Sequence, residues 1–292
     1  MKYSLLIVLQ FVGLSLFAQI PNGGFESWTN MGTYNNPDSW WTMNNITAPL
    51  SVFTCTKGTP GSPGSSYLKL TTLSATGLGI VPGIAISSDA GGSGTPTTGF
   101  PFSQRPANLT GNFQHMIFGT DQGYINVLLT RWDATSQSQV VVGFAYYDLS
   151  GMAMSWTAFT IPLTYSDGGN PDTCLISMSA SGSSGGAAND YLYVDNLAFT
   201  GTASGISEVN GLSSVMLYPN PVKDEVRIDL SSIQNGEFSL TIYDNLSRMV
   251  RATKQLERGM VNQIDVRSLP AGNYYFRVES SEGARVFRVI VD

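Results

Sequence analysis

Glutamate is nearly missing from the first two thirds of this 292-residue sequence: after Glu26 there is none until Glu208. Residues 20–200 hold that one Glu with nine Asp, two Lys and two Arg, a net charge of −6. Four basic residues make no basic patch, which excludes nucleic acid as a natural partner. Histidine is missing except for His115, in the strand-like stretch FQHMIF, where a packed structural imidazole is the commoner outcome and a Ser-His-Asp triad would have no other base. One His and two distant cysteines also exclude an ordinary zinc centre. There is no G-x-S-x-G, and Gly77-x-Gly79 lacks the rest of a dinucleotide fingerprint. Long apolar runs are missing too. Residues 5–17 (LLIVLQFVGLSLF) fall short of the roughly 20 needed to span a bilayer. Behind Met1-Lys2 and ahead of the small Ala18, this run reads as a secretory signal peptide over residues 1–18. No cysteine follows it to carry a lipid anchor. The mature chain is expected to start near Gln19 and to be exported, either soluble or attached to a surface.

Only Cys55 and Cys174 are present. Export permits a disulfide, and a bridge closing a loop of about 120 residues contributes up to roughly 4–5 kcal/mol in the chain-entropy view. Two buried free thiols in strands are the alternative, and spacing does not choose between them.

Charge divides the mature chain. Residues 201–292 carry 11 acids and 10 bases, against 14 charges in the 181 residues before them. The small-residue stretch 201–215 (GTASGISEVNGLSSV) has linker character. The expected organisation is a first domain over 19–200, a linker over 201–215 and a second domain over 216–292.

In the second domain VRIDL and FSLTI alternate, and further β-rich runs precede the C-terminus, separated by Asp-Asn, Arg-Gly and Ala-Gly turns. That is a small antiparallel, Ig-like sandwich with no His or Cys for catalysis. LYPNPVKDEVRIDL (217–230), LTIYDNLSRMV (240–250), LPAGNYYFRVE (269–279) and the terminal RVFRVIVD resemble a type A sorting domain of the bacterial type IX secretion system. Tyr218, Pro219, Asn220 and Pro221 form its leading motif. Ser247 departs from the Gly usual in the family after the IYD strand. The resemblance implies a Bacteroidota-type exporter as partner, passage through the periplasm and across the outer membrane, removal of the tail, and a cargo released or attached to surface lipopolysaccharide.

The cargo is rich in Gly, Ser, Thr and aromatics and holds all five tryptophans. Strands are expected at 67–72, 80–86, 113–118, 124–132, 139–147, 156–161, 173–179 and 191–199. Val127-Leu128-Leu129 and Val140-Val141-Val142 are apolar on both faces, as inside a sandwich. With long loops at 57–66, 89–99 and 181–189 and no amphipathic helix, the pattern is all-β, a jelly roll. FESW (25–28), PDSW (37–40), PF (101–102), RP (105–106), PLTY (162–165), PD (171–172) and LYVDN (192–196), in this order, resemble a domain of exported Bacteroidota proteins provisionally assigned to carbohydrate metabolism. The resemblance implies a jelly roll like those of carbohydrate-binding modules.

Glu26 opens the cargo and Asp195, in YLYVDNLAF, nearly closes it. The first and last strands of a jelly roll often lie together, and an ionised carboxylate among apolar neighbours needs a partner. Glu26, Asp195 and backbone carbonyls around Asn22–Gly24 would suit a structural Ca²⁺, which takes six to eight oxygens. Alternatively each carboxylate caps backbone N–H groups. A catalytic pair, as in glycosidases, is the weaker reading. DGGNPD (167–172) offers a further calcium loop or simply a tight turn.

Sugar binding uses exposed aromatics, at about 2 kcal/mol per stacked ring for roughly 80 Å² buried. The candidates are Trp41, Trp132, Trp156, Tyr146 and Tyr147, with Arg105 as a donor, and core packing competes for each ring. Trp28 and Trp40 are expected in the core. Strand alternation then sends Trp41 outward. The expected function is an exported, non-catalytic, glycan-binding protein. A structural or adhesive surface protein and a carbohydrate-active hydrolase stand as alternatives.

Overall fold

The computed structural model describes residues 20–88, 99–135, 137–166, 168–182, 186–203, 212, 214–245, 248–281 and 283–292. The expected signal peptide, Ser247, Asp167 and most of the expected linker lie outside the described residues.

The chain opens with a hairpin of β1 (Trp28–Asn30) and β2 (Asn35–Pro37), followed by β3 (Trp40–Thr42) and one helical turn at Asn44–Thr47. Next come β4 (Cys55–Gly58), β5 (Tyr67–Thr71), a small hairpin of β6 (Leu73–Ala75) and β7 (Gly79–Val81), β8 (Ile84–Ser87) and β9 (Phe100–Pro101). Long strands follow: β10 (Asn108–Met116), β11 (Gly123–Asp133), β12 (Ser138–Leu149) and β13 (Met152–Pro162). The short β14 (Thr164–Tyr165), then β15 (Thr173–Ser179) and β16 (Tyr191–Thr200), complete the cargo.

These strands form two antiparallel sheets. One runs β13-β10-β16-β5-β4, the other β14-β12-β11-β15-β8-β3 with β9 beside β15. After β10 the chain crosses to the second sheet for β11 and β12, returns for β13, crosses for β14 and β15, and returns for β16. That repeated crossing is a jelly roll. The cargo's last strand, β16, lies beside the early strand β5, and β4 forms the edge beyond it.

Alternation builds the core. Leu68, Leu70, Leu109, Phe113, Leu192 and Val194 point inward from the five-stranded sheet and meet Ile125, Val127, Leu129, Val142, Ile176 and Met178. His115 lies on the same inward row, buried 5.1 Å from Phe113, and burial lowers its pKa. Phe100 and Phe102 are buried against Phe199 and pin their loop to the sandwich. Cys55 and Cys174 sit on opposite sheets as buried free thiols, and burial raises both thiol pKa values. The disulfide alternative is therefore not what the structure adopts.

The tail is a second sandwich. Its strands are β17 (Met216–Tyr218), β18 (Glu225–Asp229), β19 (Phe238–Asp244), β20 (Met249–Leu256), β21 (Val261–Asp265), β22 (Gly272–Ser280) and β23 (Gly283–Val291). Sheets β17-β18-β21 and β20-β19-β22-β23 enclose Val226, Ile228, Leu240, Ile242, Phe276, Val278 and Val289. The leading motif ties the tail's start to its last strand. Asn220 Nδ2 donates to Arg288 O at 2.8 Å and Asn220 Oδ1 accepts from Ile290 N at 2.8 Å. Tyr218, Pro219 and Pro221 remain exposed around it.

The two sandwiches touch. Leu128, Val141 and Phe144 on the outer face of the seven-stranded sheet pack against Ala284 and Val286 of β23. The Tyr146 ring lies 4.8 Å from Tyr243, and the Arg277 guanidinium lies 5.0 Å from the Phe144 ring centre. This explains the doubly apolar Val127-Leu128-Leu129. Val127 and Leu129 face the cargo core, whereas Leu128 faces the tail.

Candidate functional site

The N-terminal turn lies against the cargo's last strand. Leu197 N donates to Gly23 O at 2.8 Å, and a Cβ on Gly23 would stand 2.6 Å from Leu197 O. Asn22 shapes the turn: its Nδ2 donates to Ser27 O (2.8 Å) and Asp38 O (3.0 Å), and its Oδ1 accepts from Ser27 N (3.1 Å). Glu26 is thereby aimed at the loop 59–66. Its carboxylate accepts from Ser65 N at 2.8 Å, Ser66 N at 3.2 Å, Ser66 Oγ at 3.3 Å and the Ser65 hydroxyl. These bonds, led by the Ser65 hydroxyl, lower the Glu26 pKa.

Asp195 holds the other end of the loop. The register between β10 and β16 slips between Thr110 and Asn112, leaving an extra residue on β16 with Asn196 at φ 54°. Such a bulge re-aims side chains. Asp195 is fully buried and accepts from Ser62 N and from Asn196 N (2.7 Å). Burial raises its pKa, and the nearby Glu26 charge adds to the rise. Asn112 Nδ2 donates to Ser62 O at 2.5 Å. Glu26, Asp195 and Asn112 thus fasten one loop over the outer face of the five-stranded sheet.

The arrangement does not fit a calcium ion shared by Glu26, Asp195 and Asn22. The carbonyls of Asn22 and Gly23 accept from Phe25 N (3.0 Å) and Leu197 N (2.8 Å), and the carboxylate oxygens face N–H and O–H donors rather than an oxygen cage. Among the described residues no three His, Cys, Asp or Glu cluster as metal ligands. In DGGNPD, Asp172 accepts from Trp132 N (2.7 Å) and Thr173 Oγ1 (2.7 Å), which is the work of a turn.

Beside the fastened loop lies an aromatic face. Tyr67 and Lys69 project from β5, Tyr191 and Tyr193 from β16, all half-buried and alternating with the core residues Leu68, Leu70, Leu192 and Val194. Tyr191 and Tyr193 stack at 4.5 Å, Tyr193 lies 5.3 Å from Tyr67, and Tyr67 meets Trp156 edge-on at 5.1 Å. Trp156 comes from β13, where the register with β10 slips between Phe113 and His115 and three residues face one. That irregularity frees Trp156 to reach across the sheet. Gly58 lies under the Tyr67 ring, where any Cβ would collide with it. One row across the face reads Gln114, Tyr193, Lys69, Thr56. Burial raises the hydroxyl pKa of Tyr67, Tyr191 and Tyr193, so these groups stay protonated at neutral pH.

Of the six ligand candidates read from sequence, only Trp156 belongs to this face. Trp41 is a correction: it is buried, 4% exposed. Alternation does send Trp40 into the core and Trp41 the other way, but Ile84, Ile86, Met43 and Leu175 cover Trp41 there. Tyr146 is enclosed between Tyr124 and Tyr243 beneath the tail. Arg105 stacks on Tyr165 at 4.1 Å and donates to Gly169 O, bracing a loop. Trp132 and Tyr147 are exposed, 51% and 40%, on strands of the other sheet. Sequence reasoning missed Tyr67, Tyr191, Tyr193 and Lys69. The signal was there: YLKLT and YLYV each place an aromatic and a polar or aromatic residue on one face of a strand whose other face is leucine or valine.

A cleft of about 480 Å³ between cargo and tail is lined by Arg131, Asp133, Gln139, Asn220, Arg285 and Arg288 among others. Arg285 donates to Leu212 O and Val215 O, and Arg288 to Asn273 Oδ1. These two arginines hold the tail together.

Comparison with known proteins bears on both parts. Residues 216–292 match the secretion system C-terminal sorting domain. That domain marks proteins exported by type IX secretion to the cell surface or the extracellular space. No curated protein matches the chain. Among solved structures, the chain is similar to a Bacteroides thetaiotaomicron protein provisionally described as a glycoside hydrolase, at 17% identity over 62% of this chain and 71% of that one, TM-score 0.49. It is also similar to a module, CBM28, described as specific for non-crystalline cellulose (13% identity, 56% and 87% covered, TM-score 0.31). A third is a xylan-binding domain of Paenibacillus barcinonensis Xyn10C (14%, 59% and 94%, TM-score 0.31). The jelly-roll assignment stands on the strand order itself.

Proposed function

We propose that the cargo is a non-catalytic glycan-binding domain displayed outside the cell, and that the aromatic face of the five-stranded sheet is its binding surface. The observation that carries this reading is the group of Tyr67, Trp156, Tyr191 and Tyr193 on an open sheet face. Apolar side chains on an exposed sheet face carry an energetic penalty unless something covers them. A sugar ring has an apolar C–H face and hydroxyls at its rim. Aromatic rings meet the first, and Gln114, Lys69 and the tyrosine hydroxyls meet the second. Burying about 80 Å² of apolar surface per ring is worth about 2 kcal/mol.

Glu26 and Asp195 act in this reading as a clamp. They hold loop 59–66 as a wall beside the face, by hydrogen bonds to its serines, in place of a calcium site. With their oxygens bonded to the loop, they are not arranged as an acid and base across a cleft. The tail directs export, and attachment of the cargo to surface lipopolysaccharide is the proposed route by which it stays on the cell.

Affinity electrophoresis of the mature chain in gels containing soluble polysaccharides tests the proposal. Retardation that disappears in Trp156→Ala and Tyr193→Ala, with unchanged circular dichroism, is the expected result. No retardation in any polysaccharide would favour a structural or adhesive role. Release of reducing ends, lost in Glu26→Gln or Asp195→Asn, would establish a hydrolase instead.

A further inference from the structure

The charge of the aromatic face differs from that of the domain around it. Residues 20–200 contain ten acidic and four basic residues, yet both lysines, Lys57 and Lys69, lie on the neighbouring strands β4 and β5 of the five-stranded sheet. Lys69 sits within the face, in the row between Tyr193 and Thr56, with its ammonium 5.3 Å from the centre of the Tyr193 ring. Among the described residues it has no carboxylate partner. Lys57 is exposed on the edge strand but pairs with the inward Leu68, so it projects to the other side of the sheet and leaves Lys69 as the lysine of the aromatic face.

Acids are correspondingly missing. Strands β4, β5, β10 and β13 contain none, and β16 contains only Asp195. Asp195 is fully buried beneath the loop, with its oxygens on the N–H groups of Ser62 and Asn196. Glu26 lies beyond that loop and turns its oxygens to Ser65 and Ser66. A ligand on the face therefore meets an unpaired ammonium at close range. The acids around it are held by hydrogen bonds. Charges on this scale are felt over roughly 8 Å at physiological ionic strength.

Resting on the glycan-binding reading above, we infer that this face takes an acidic glycan, with the aromatic rings stacking its sugars and Lys69 meeting an anionic substituent. Residues 20–200 carry a net charge of −6, so a face whose one acid is buried and which presents a lysine also favours one orientation of an anionic ligand. Uronate carboxylates and sulfate esters share the required chemistry.

The test is isothermal titration of the mature full-length chain against matched pairs of oligosaccharides that differ only in charge. One pair is a β-1,4-glucan hexasaccharide and its C6-oxidised uronate. Another is an oligogalacturonate and its methyl ester. A third is a sulfated galactan oligosaccharide and its desulfated form. The acidic member of at least one pair is expected to bind about tenfold or more tightly, with a preference that shrinks as salt rises. The uronate and sulfate pairs separate the two sources of charge. Lys69→Gln is expected to lower affinity for the acidic member to that for its neutral partner, so that the preference disappears, whereas Lys69→Arg keeps the preference. Trp156→Ala is expected to weaken both members equally. Equal or tighter binding of the neutral members, with Trp156 still required, would overturn the charge assignment and leave the glycan reading standing. No binding to any member would overturn both.

Discussion

The two sheets of the cargo differ most in what lies outside them. Each has an inner face packed into one shared core. The outer face of the five-stranded sheet is open and carries Tyr67, Tyr191, Tyr193 and Trp156. The outer face of the seven-stranded sheet carries Leu128, Phe144 and Tyr146, and the sorting tail covers it. Similar aromatic side chains thus have opposite fates. On one sheet the rings are left for a ligand, and on the other they are used to dock a second domain. Aromatic content alone identifies neither role. What distinguishes the faces is their polar company: lysine and amides beside the open rings, leucine, valine and phenylalanine beside the covered ones.

The same contrast can be broken from either side. The largest effect is expected at the covered face. Leu128→Asp places a carboxylate without a partner beneath the tail, at a cost of about 3 kcal/mol or more. Calorimetry of the full chain should then show the tail and cargo unfolding in separate steps. The counterpart on the open face, Tyr193→Asp, should cost about 1–2 kcal/mol for its two ring contacts, keep tail and cargo unfolding together, and abolish glycan binding. If both substitutions destabilise equally, the two faces are not different in kind.

Next in size is Trp156→Ala. It removes a ring from the open face and should weaken glycan binding by about 2 kcal/mol, roughly 30-fold. Titration checks this, and an unchanged affinity would take Trp156 out of the site. Tyr146→Ala should have no effect on that titration. It should loosen the tail contact by about 1 kcal/mol, the worth of one aromatic pair, readable in the calorimetric midpoint.

The smallest effect concerns the clamp and depends on pH. The lowered pKa of Glu26 means the folded state favours its ionised form. Its contribution is therefore fully present above the ordinary carboxylate pKa and is lost as pH falls through the lowered folded value. Hydrogen exchange at Ser65 and Ser66 should accelerate over that acid interval in the native protein. In Glu26→Gln the rate should be raised already at neutral pH and show no such step. Chelator should leave both profiles unchanged, and a loss of protection on adding it would restore calcium to the clamp.

Several levels of this organisation were legible from residue order. The motifs at 217–230, 240–250 and 269–279 resemble a sorting domain, and residues 216–292 match that family. The expected strands at 67–72, 124–132, 173–179 and 191–199 lie within two residues of the observed ones, because period-two alternation reports one buried face directly. The solitary Glu26 and the apolar setting of Asp195 singled out two carboxylates that the structure places at one loop. What those carboxylates hold was not legible. The serines of loop 59–66 contact them across 39 and 133 positions of sequence, and no local pattern encodes that meeting.

Trp41 and Tyr146 show the limit most clearly. Alternation correctly assigns each ring to one side of its strand, but it is silent about whether that side meets water. The sequence by itself determined most of the long strands, their inward rows and the sorting tail, because these follow from local periodicity and motif order. Only the tertiary structure decided which outer face stays open. Exposure depends on what packs on a face from elsewhere in the chain, here β23 on the sheet of β11 and β12.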